Sequence, residues 1–324
     1  MLTDGNTLLL LLAALALDAL VGDPDWLWRR LPHPVVWIGK LIAALETRLN
    51  SSSFPPEMRK RNGVITLLIL LGSSLTLGLF LTWLSNQFAF GGVITILIVA
   101  VLIAQKSLYE HVAAVRDGLK QGGLRGGRKA VAMIVGRDPE QLDEAGVSRA
   151  AIESCAENFS DGIVAPVFWF AVLGLPGLIA YKAVNTADSM IGHKNERYQD
   201  FGWASARFDD LINLPASRLA GLLLAGAARL GRGSTAHSFK IMVRDAHQHR
   251  SPNAGWPEAA MAGALSLALA GPRVYPGYKV DDPYMNPEGR RLANAEDIGA
   301  ALRVYTGACA IQALIIGILS LVCG

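Results

Sequence analysis

The chain has 324 residues, of which 52% are hydrophobic and only 18% charged, and its mean hydropathy is +0.33. That is too apolar for a soluble domain of this length, and a net charge of +3 with no basic-aromatic stripe excludes a nucleic-acid surface. The three cysteines, Cys155, Cys309 and Cys323, fit neither a zinc spacing nor a disulfide framework and read as small apolar residues.

In chain order, residues 5–22 are an apolar stretch carrying only Asp18. Asp4 precedes it and the first basic residue is Arg29, so it lacks the basic start of a signal peptide and reads as a retained first span. Residues 23–62 form a polar connection with an amphipathic piece at 35–49. Spans are predicted at about 63–84 and 90–106, each a largely uncharged run approaching the ~20 residues that cross a bilayer core. Residues 109–120 read as an amphipathic helix, 121–128 as a Gly-rich basic loop, 136–139 as a turn set by Pro139, and 143–158 as a helix. Residues 162–184 are apolar, but GLPG at 174–177 breaks their helix, because proline lacks a donor and clashes with the preceding turn. A re-entrant hairpin or strongly kinked span is expected there, since irregular backbone at membrane depth must be satisfied by protein or cavity water. Segments 211–231 and 256–271 are weaker membrane candidates, residues 272–296 form a Pro/Gly/Asp-rich loop, and 304–323 are a last span. The expected fold is all-α: one polytopic membrane bundle over residues 1–324, with broken or re-entrant helices and cytoplasmic helical loops. Basic residues concentrate in 23–62 and 106–162, while 85–92 carries no charge, which puts those two loops in the cytoplasm and the N-terminus outside.

Four polar constellations interrupt this pattern. Gly22-Asp23-Pro24 and His33-Pro34 combine turn chemistry with two functional side chains. Glu153, Glu157 and Asp161 follow at i, i+4 and i+8, so a regular helix would put all three on one face, where like charges call for a cation. Residues 185–213 pack Asn185, Asp188, His193, Lys194, Arg207, Asp209, Asp210 and Asn213 into one short, mixed-charge segment. Residues 244–258, RDAHQHRSPNAGWPE, alternate Asp245, His247 and His249 without the further ligand that zinc needs. There is no GxxxxGK[ST], GxGxxG or GxSxG.

ESCAENFSDGIVAPVFW (153–169), NTADSMIGHKNERYQDFGWASARFDDLINLPASRL (185–219) and RDAHQHRSPNAGWPEAAMAGAL (244–265) resemble the signature blocks of adenosylcobinamide-phosphate synthase, the CobD/CbiB family of cobalamin biosynthesis. ALDALVGDP with HPVVWIGKLI near the start, and GPRVYPG with VDDP near the end, fit as well, so the resemblance runs in order through almost the whole chain. It implies a multi-pass enzyme of the inner (cytoplasmic) membrane. That enzyme joins the free propionate of adenosylcobyric acid to the amine of (R)-1-aminopropan-2-ol phosphate, or of a related amino alcohol, with ATP and Mg²⁺. Implied partners are those small molecules and the membrane, with no nucleic acid. A homo-oligomer and association with later membrane enzymes of the pathway stay open.

The roles of individual residues are assigned by chemistry. Glu153, Glu157, Asp161, Asp209 and Asp210 are metal candidates, because hard divalent ions take oxygen ligands and bridge to phosphates. Lys194, Arg207 and Arg244 suit phosphate. His249 or Asp188 would take the amine proton. Asp23, His33, Asn158, Asn185, Asn213, Asp245, Ser251, Asn253 and Glu258 are candidate substrate contacts. A metal-dependent membrane phosphotransferase or phosphatase, and a non-enzymatic AmpE-like signalling or transport protein, are the alternatives.

Overall fold

The computed structural model describes residues 4–135, 139–275, 278–280 and 282–324; most of the turn expected at 136–139, and parts of the loop expected at 272–296, lie outside the described residues. The described chain is helical almost throughout and divides into two compact units. Four helical stretches, Pro56–Ser85, Gly91–Val131, Glu144–Ile191 and Ala295–Val322, are long and apolar enough to cross a membrane. The protein is therefore a multi-pass membrane protein of the all-α class.

The first unit comprises Met1–Ala104, Ala165–Asn213 and Ile316–Gly324. Helix α1 (Gly5–Val21) is capped by Asp4, whose carboxylate accepts the Thr7 N–H at 2.9 Å. After the short α2 (Asp25–Trp28), His33 caps α3 (Pro34–Leu49), with Pro34 in the first turn where its missing donor is harmless. Helix α4 (Pro56–Ser85) has 30 residues, about 45 Å of rise. Its exposed side is apolar, with Leu68, Leu79, Phe80 and Trp83 outward, as a lipid-facing surface requires. Its inward side carries small residues. Gly78 lies so close to Pro176 that a Cβ there would stand 2.4 Å from the proline Cα.

The span expected at 90–106 is shorter. Helix α5 (Gly91–Leu102) ends where Ile103 turns extended (φ −105°, ψ 149°), and its 12 residues rise only about 18 Å. The break expected at GLPG falls at Gly174, which adopts φ 65°, ψ −152° inside α8 (Ala165–Ile191). A Cβ on Gly177 would stand 2.5 Å from the carbonyl oxygen of Trp169, eight residues earlier. In a straight helix those residues are separated by about 12 Å of rise. The chain therefore reverses, and 165–173 and 175–191 lie side by side as two arms. Tucked against the returning arm is a core of Ile42, Leu70, Ala187, Ile191 and Phe201.

The second unit comprises Gln105–Val164 and Leu214–Ile315. Its first helix, α6 (Gln105–Val131), uses the same device. Gly123 sits at φ 57°, ψ −154°, and a Cβ on Gly126 would fall 2.3 Å from the Gly118 carbonyl oxygen. At the centre is α7 (Glu144–Phe159), capped by Asp143 and buried along nearly its whole length. Around it stand α10 (Thr235–Asp245) and α11 (Gly255–Leu265), reached through the latter half of α9 (Trp203–Gly226). The segment expected at 256–271 is the 11-residue α11, buried except for partly exposed Trp256, and far too short to span. Close packing here depends on small residues: a Cβ on Gly263 would lie 2.7 Å from the Ser238 Cα, and Ser238 Oγ donates to the Ala260 carbonyl at 2.6 Å. The loop after α11 contains two short antiparallel ribbons, β1 (Leu269–Ala270) with β4 (Tyr284–Met285), and β2 (Arg273–Tyr275) with β3 (Tyr278–Val280). The last helix, α12 (Ala295–Val322), has 28 residues and begins nine residues before the predicted span.

Glycines needed for close contact and glycines needed for a positive φ respond differently to an added methyl. Gly78→Ala should lower the thermal midpoint of the detergent-solubilised protein by forcing α4 away from Pro176. Gly174→Ala, where space is open but φ 65°, ψ −152° suits only glycine, should cost about 1–3 kcal/mol. Gly72→Ala, with nothing within 4 Å of its Cβ, should be neutral or stabilising. Equal midpoints for all three would refute this account.

Candidate functional site

In the first unit, the returning arm of α8 presents Tyr181, Asn185 and Asp188 at helical spacing, and the start of α9 presents Asp209 and Asn213 at i, i+4. The Tyr181 hydroxyl donates to Asn213 Oδ1 at 3.0 Å, and Asn213 Nδ2 donates to Asp209 Oδ2 at 2.9 Å. Asp209 is buried, and its second oxygen, Oδ1, is enclosed without a hydrogen-bond partner among the described residues. Burial, with the Asp188 charge adding to it, pushes the Asp209 carboxyl up to about 7. Burial also raises Asp210, against the pull of Arg207 and Lys194. Three of the residues singled out in 185–213, Asp188, Asp209 and Asp210, thus crowd negative charge around one buried oxygen, with two cations, Arg207 and Lys194, beside Asp210.

Glycines bring the chain tightly over this cluster. A Cβ on Gly192 would lie 2.0 Å from Asp188 Oδ1, and one on Gly202 would overlap the Ile191 carbonyl. The loop between them is clamped from below. Arg197 makes two bonds to buried Glu46, at 2.9 and 3.0 Å, Asn50 donates to the Arg197 carbonyl at 3.1 Å, and Arg59 reaches the carbonyls of Glu196 and Arg197. Sequence reading missed Glu46, Asn50 and Arg59, whose partners lie roughly 140–150 residues away in sequence.

Asp23 and His33 also meet in this unit. Asp23 Oδ1 accepts from Trp28 Nε1 at 3.2 Å and lies 3.7 Å from His33 Nε2. His33 Nδ1 accepts the Val35 N–H and Nε2 faces the Val101 carbonyl at 3.2 Å, so the neutral tautomer with hydrogen on Nε2 satisfies both. Burial pulls the imidazole below its ordinary range, outweighing Asp23, and the positive charge of Lys182 acts in the same direction as burial. Lys182 is a further cation of this unit that the sequence reading passed over, because it lies inside an apolar run.

The second unit assigns its predicted residues differently. Glu153 is buried, and its Oε1 accepts the N–H of Ala270, a residue at φ 57°. Glu157 is exposed, and Asp161 is half-buried on a π-turn at Ser160–Val164 that shifts the helical register. Glu153 and Glu157 stay one turn apart on α7, one buried and one exposed, and the π-turn moves Asp161 off the regular i, i+4 spacing. Glu153 serves the backbone of the following ribbon. Asn158 Nδ2 turns back to the Ser154 carbonyl and hydroxyl. Arg244 is fully engaged, with two bonds to Asp245 and two to Glu288, and buried Asp245 also accepts the Asn286 N–H at 2.7 Å. Arg244 and Asp245 thus tie α10 to the loop that follows α11. His249 Nδ1 accepts the Ser251 N–H at 3.0 Å, while Nε2 stands 3.7 Å from buried Glu258. Both ring nitrogens are thereby directed to protein groups. Asn253 Oδ1 accepts from Ser217 Oγ at 3.1 Å and Arg218 Nη1 at 3.2 Å, and Arg218 lies over the Trp256 ring. No group of three or more His, Cys, Asp or Glu side chains converges as a metal cage among the described residues.

A carboxyl raised in the folded state contributes stability that is present at low pH and lost as pH rises through its folded value. In metal-free buffer, the wild-type thermal midpoint should therefore fall between about pH 5 and pH 8 more steeply than that of Asp209→Asn. Parallel pH profiles would show that Asp209 is not the buried titrating group.

A family model described as CobD/Cbib protein matches residues 11–305. The chain is 57% identical over 312 residues to the Cobalamin biosynthesis protein CobD of a Sinorhizobium species, covering 95% of this chain and 97% of that protein. It is 55% identical over 312 residues to the protein of the same name in Rhizobium meliloti, covering 95% of each. Identity to that of Rhodobacter capsulatus is 47% over 319 residues, covering 97% of this chain and 98% of the other. No solved structure matches the chain.

Proposed function

The chain belongs to the CobD/CbiB family of cobalamin biosynthesis proteins, and on that premise we propose that it joins adenosylcobyric acid to (R)-1-aminopropan-2-ol phosphate, or a related amino alcohol, by an ATP-driven amide bond. The observation that carries this reading is the buried Asp209 carboxyl, crowded by Asp188 and Asp210, whose Oδ1 makes no close hydrogen bond among the described residues. Like charges crowded in a desolvated place call for a cation. Mg²⁺ commonly takes one or two carboxylates and completes its shell with water and phosphate oxygens, so Asp209 and Asp210 fit it without a full protein cage. Bound there, the ion would screen the nucleotide phosphates.

The chemistry explains why such a site is needed. A carboxylate is a poor electrophile. Transfer of the γ-phosphoryl group of ATP to it gives an acyl phosphate and ADP, and attack by the amine gives the amide and inorganic phosphate. In this reading Lys194 and Arg207 hold phosphate oxygens, Asn185 and Asn213 orient the reacting groups, and the Asp188 carboxylate takes the proton that the ammonium group must lose before attack. The positive-inside pattern supports a cytoplasmic placement of this site, where ATP and the corrinoid are available.

Purified protein in nanodiscs, given adenosylcobyric acid, the amino alcohol phosphate, ATP and Mg²⁺, should yield adenosylcobinamide phosphate with one ATP consumed per amide. Asp209→Ala should lower kcat by roughly 100-fold or more while the protein still inserts. Phosphate release from the amino alcohol phosphate without corrinoid would instead favour a phosphatase. In cells, loss of the gene should be rescued by cobinamide and not by cobyric acid.

A further inference from the structure

Within the second unit lies a cavity of about 910 Å³ that the proposed chemistry does not use. It is walled by the first arm of α6, the turn after α9 and the first half of α12. Its lining is graded along α12. Glu296, Gly299 and Arg303 mark one end, and Thr306, Gly307 and Ala310 the other. From Glu296 to Ala310 the helix rises about 21 Å. The cationic end gathers Arg116, Lys120, Arg232 and Arg303 against two lining acids, Asp117 and Glu296.

The cations differ in how far they are neutralised. Arg116 is bonded to Asp117 at 2.7 and 3.1 Å, Lys120 stands 3.3 Å from Glu296, and Arg232 donates to buried Asp297 at 2.8 Å. Arg303 has no carboxylate partner among the described residues; its Nε and Nη1 reach only the carbonyls of Leu230 and Gly299, at 3.2 and 3.3 Å. Arg116 and Arg303 also converge. The Cβ position of Gly299 lies 3.7 Å from Arg116 Cδ and 4.0 Å from Arg303 Nη1, so the glycine leaves open the space between two guanidinium-bearing side chains. Two like charges held beside an open space, with one unneutralised, make a receptor for a phosphate.

The other end points to where that phosphate comes from. Beyond Ala310 the same helix becomes an exposed apolar surface at Leu314, Ile315, Ile318 and Leu319, within a stretch long and apolar enough to cross a membrane. A ligand with an anionic phosphate head and an acyl tail fits this gradient, whereas a small phosphate ester fills only the cationic end. We propose that the cavity is a binding site for the head group of an anionic phospholipid, with Arg303, Arg116 and Lys120 on the phosphate and the acyl chain along α12.

The test compares full-length protein in phosphatidylcholine nanodiscs with and without phosphatidylglycerol, reading the thermal midpoint and, by native mass spectrometry, retained lipid. Wild type should gain stability and retain phosphatidylglycerol. Arg303→Gln and Lys120→Gln should each weaken retention roughly fivefold while leaving the midpoint in pure phosphatidylcholine unchanged. Ala310→Phe, which obstructs the apolar end without touching charge, should weaken it too. Equal retention by all variants would overturn the proposal. So would an equal stabilisation of wild type by inorganic phosphate or glycerol phosphate in pure phosphatidylcholine, since that would make the site one for a free phosphate ester.

Discussion

A helix can reverse direction within a few residues only where one residue accepts a positive φ, and much of the first unit depends on Gly174 meeting that requirement. The two arms of α8 lie side by side because Gly174 turns at φ 65° and Gly177 leaves room for the Trp169 carbonyl. Pro176 then serves twice. It has no donor to lose at the start of the second arm, and its ring packs against a bare backbone at Gly78 of α4. If α8 ran straight, Tyr181, Asn185 and Asp188 would be carried away from α4, and the hydrogen-bonded line from Tyr181 through Asn213 to Asp209 would have no first member.

The same returning arm sets the electrostatics of the site. Asp188 comes close enough to raise Asp209, and Lys182 comes close enough to hold down His33. Both effects come from the dielectric of a packed interior, where neighbouring charges are poorly screened. The clamp of Glu46, Asn50 and Arg59 on the loop after α8 holds the chain in this arrangement through charge-assisted bonds to carbonyls as well as to a carboxylate. This crowding of carboxylates, which a bound cation would relieve, is the physical link between the fold and the chemistry proposed for it.

The second unit reaches its packing by a different route. Its core is rich in alanine and glycine, so helices approach to backbone contact and side-chain volume matters less than its absence. In such an interior a buried carboxylate is tolerated where it binds main chain. Glu153 satisfies Ala270, and Asp245 satisfies Asn286 while holding Arg244. These side chains also fasten the loop that follows α11.

The sequence alone determined the elements that local rules control. Apolar runs and their lengths marked the membrane helices, Asp143 marked the start of α7, and GLPG marked a break, which falls at Gly174 where the backbone takes a positive φ. Long motifs carried the family. Regular helical spacing at 153–161 did not foretell the π-turn that carries Asp161 or the burial of Glu153. The engagement of Arg244 was not legible either, because it depends on a distant acid, Glu288, that takes its donors. Tertiary structure alone decided which of ten or more charged candidates gather around one buried oxygen, and which cations remain unneutralised. Those outcomes depend on through-space distances and desolvation, which residue identity and spacing along the chain do not encode.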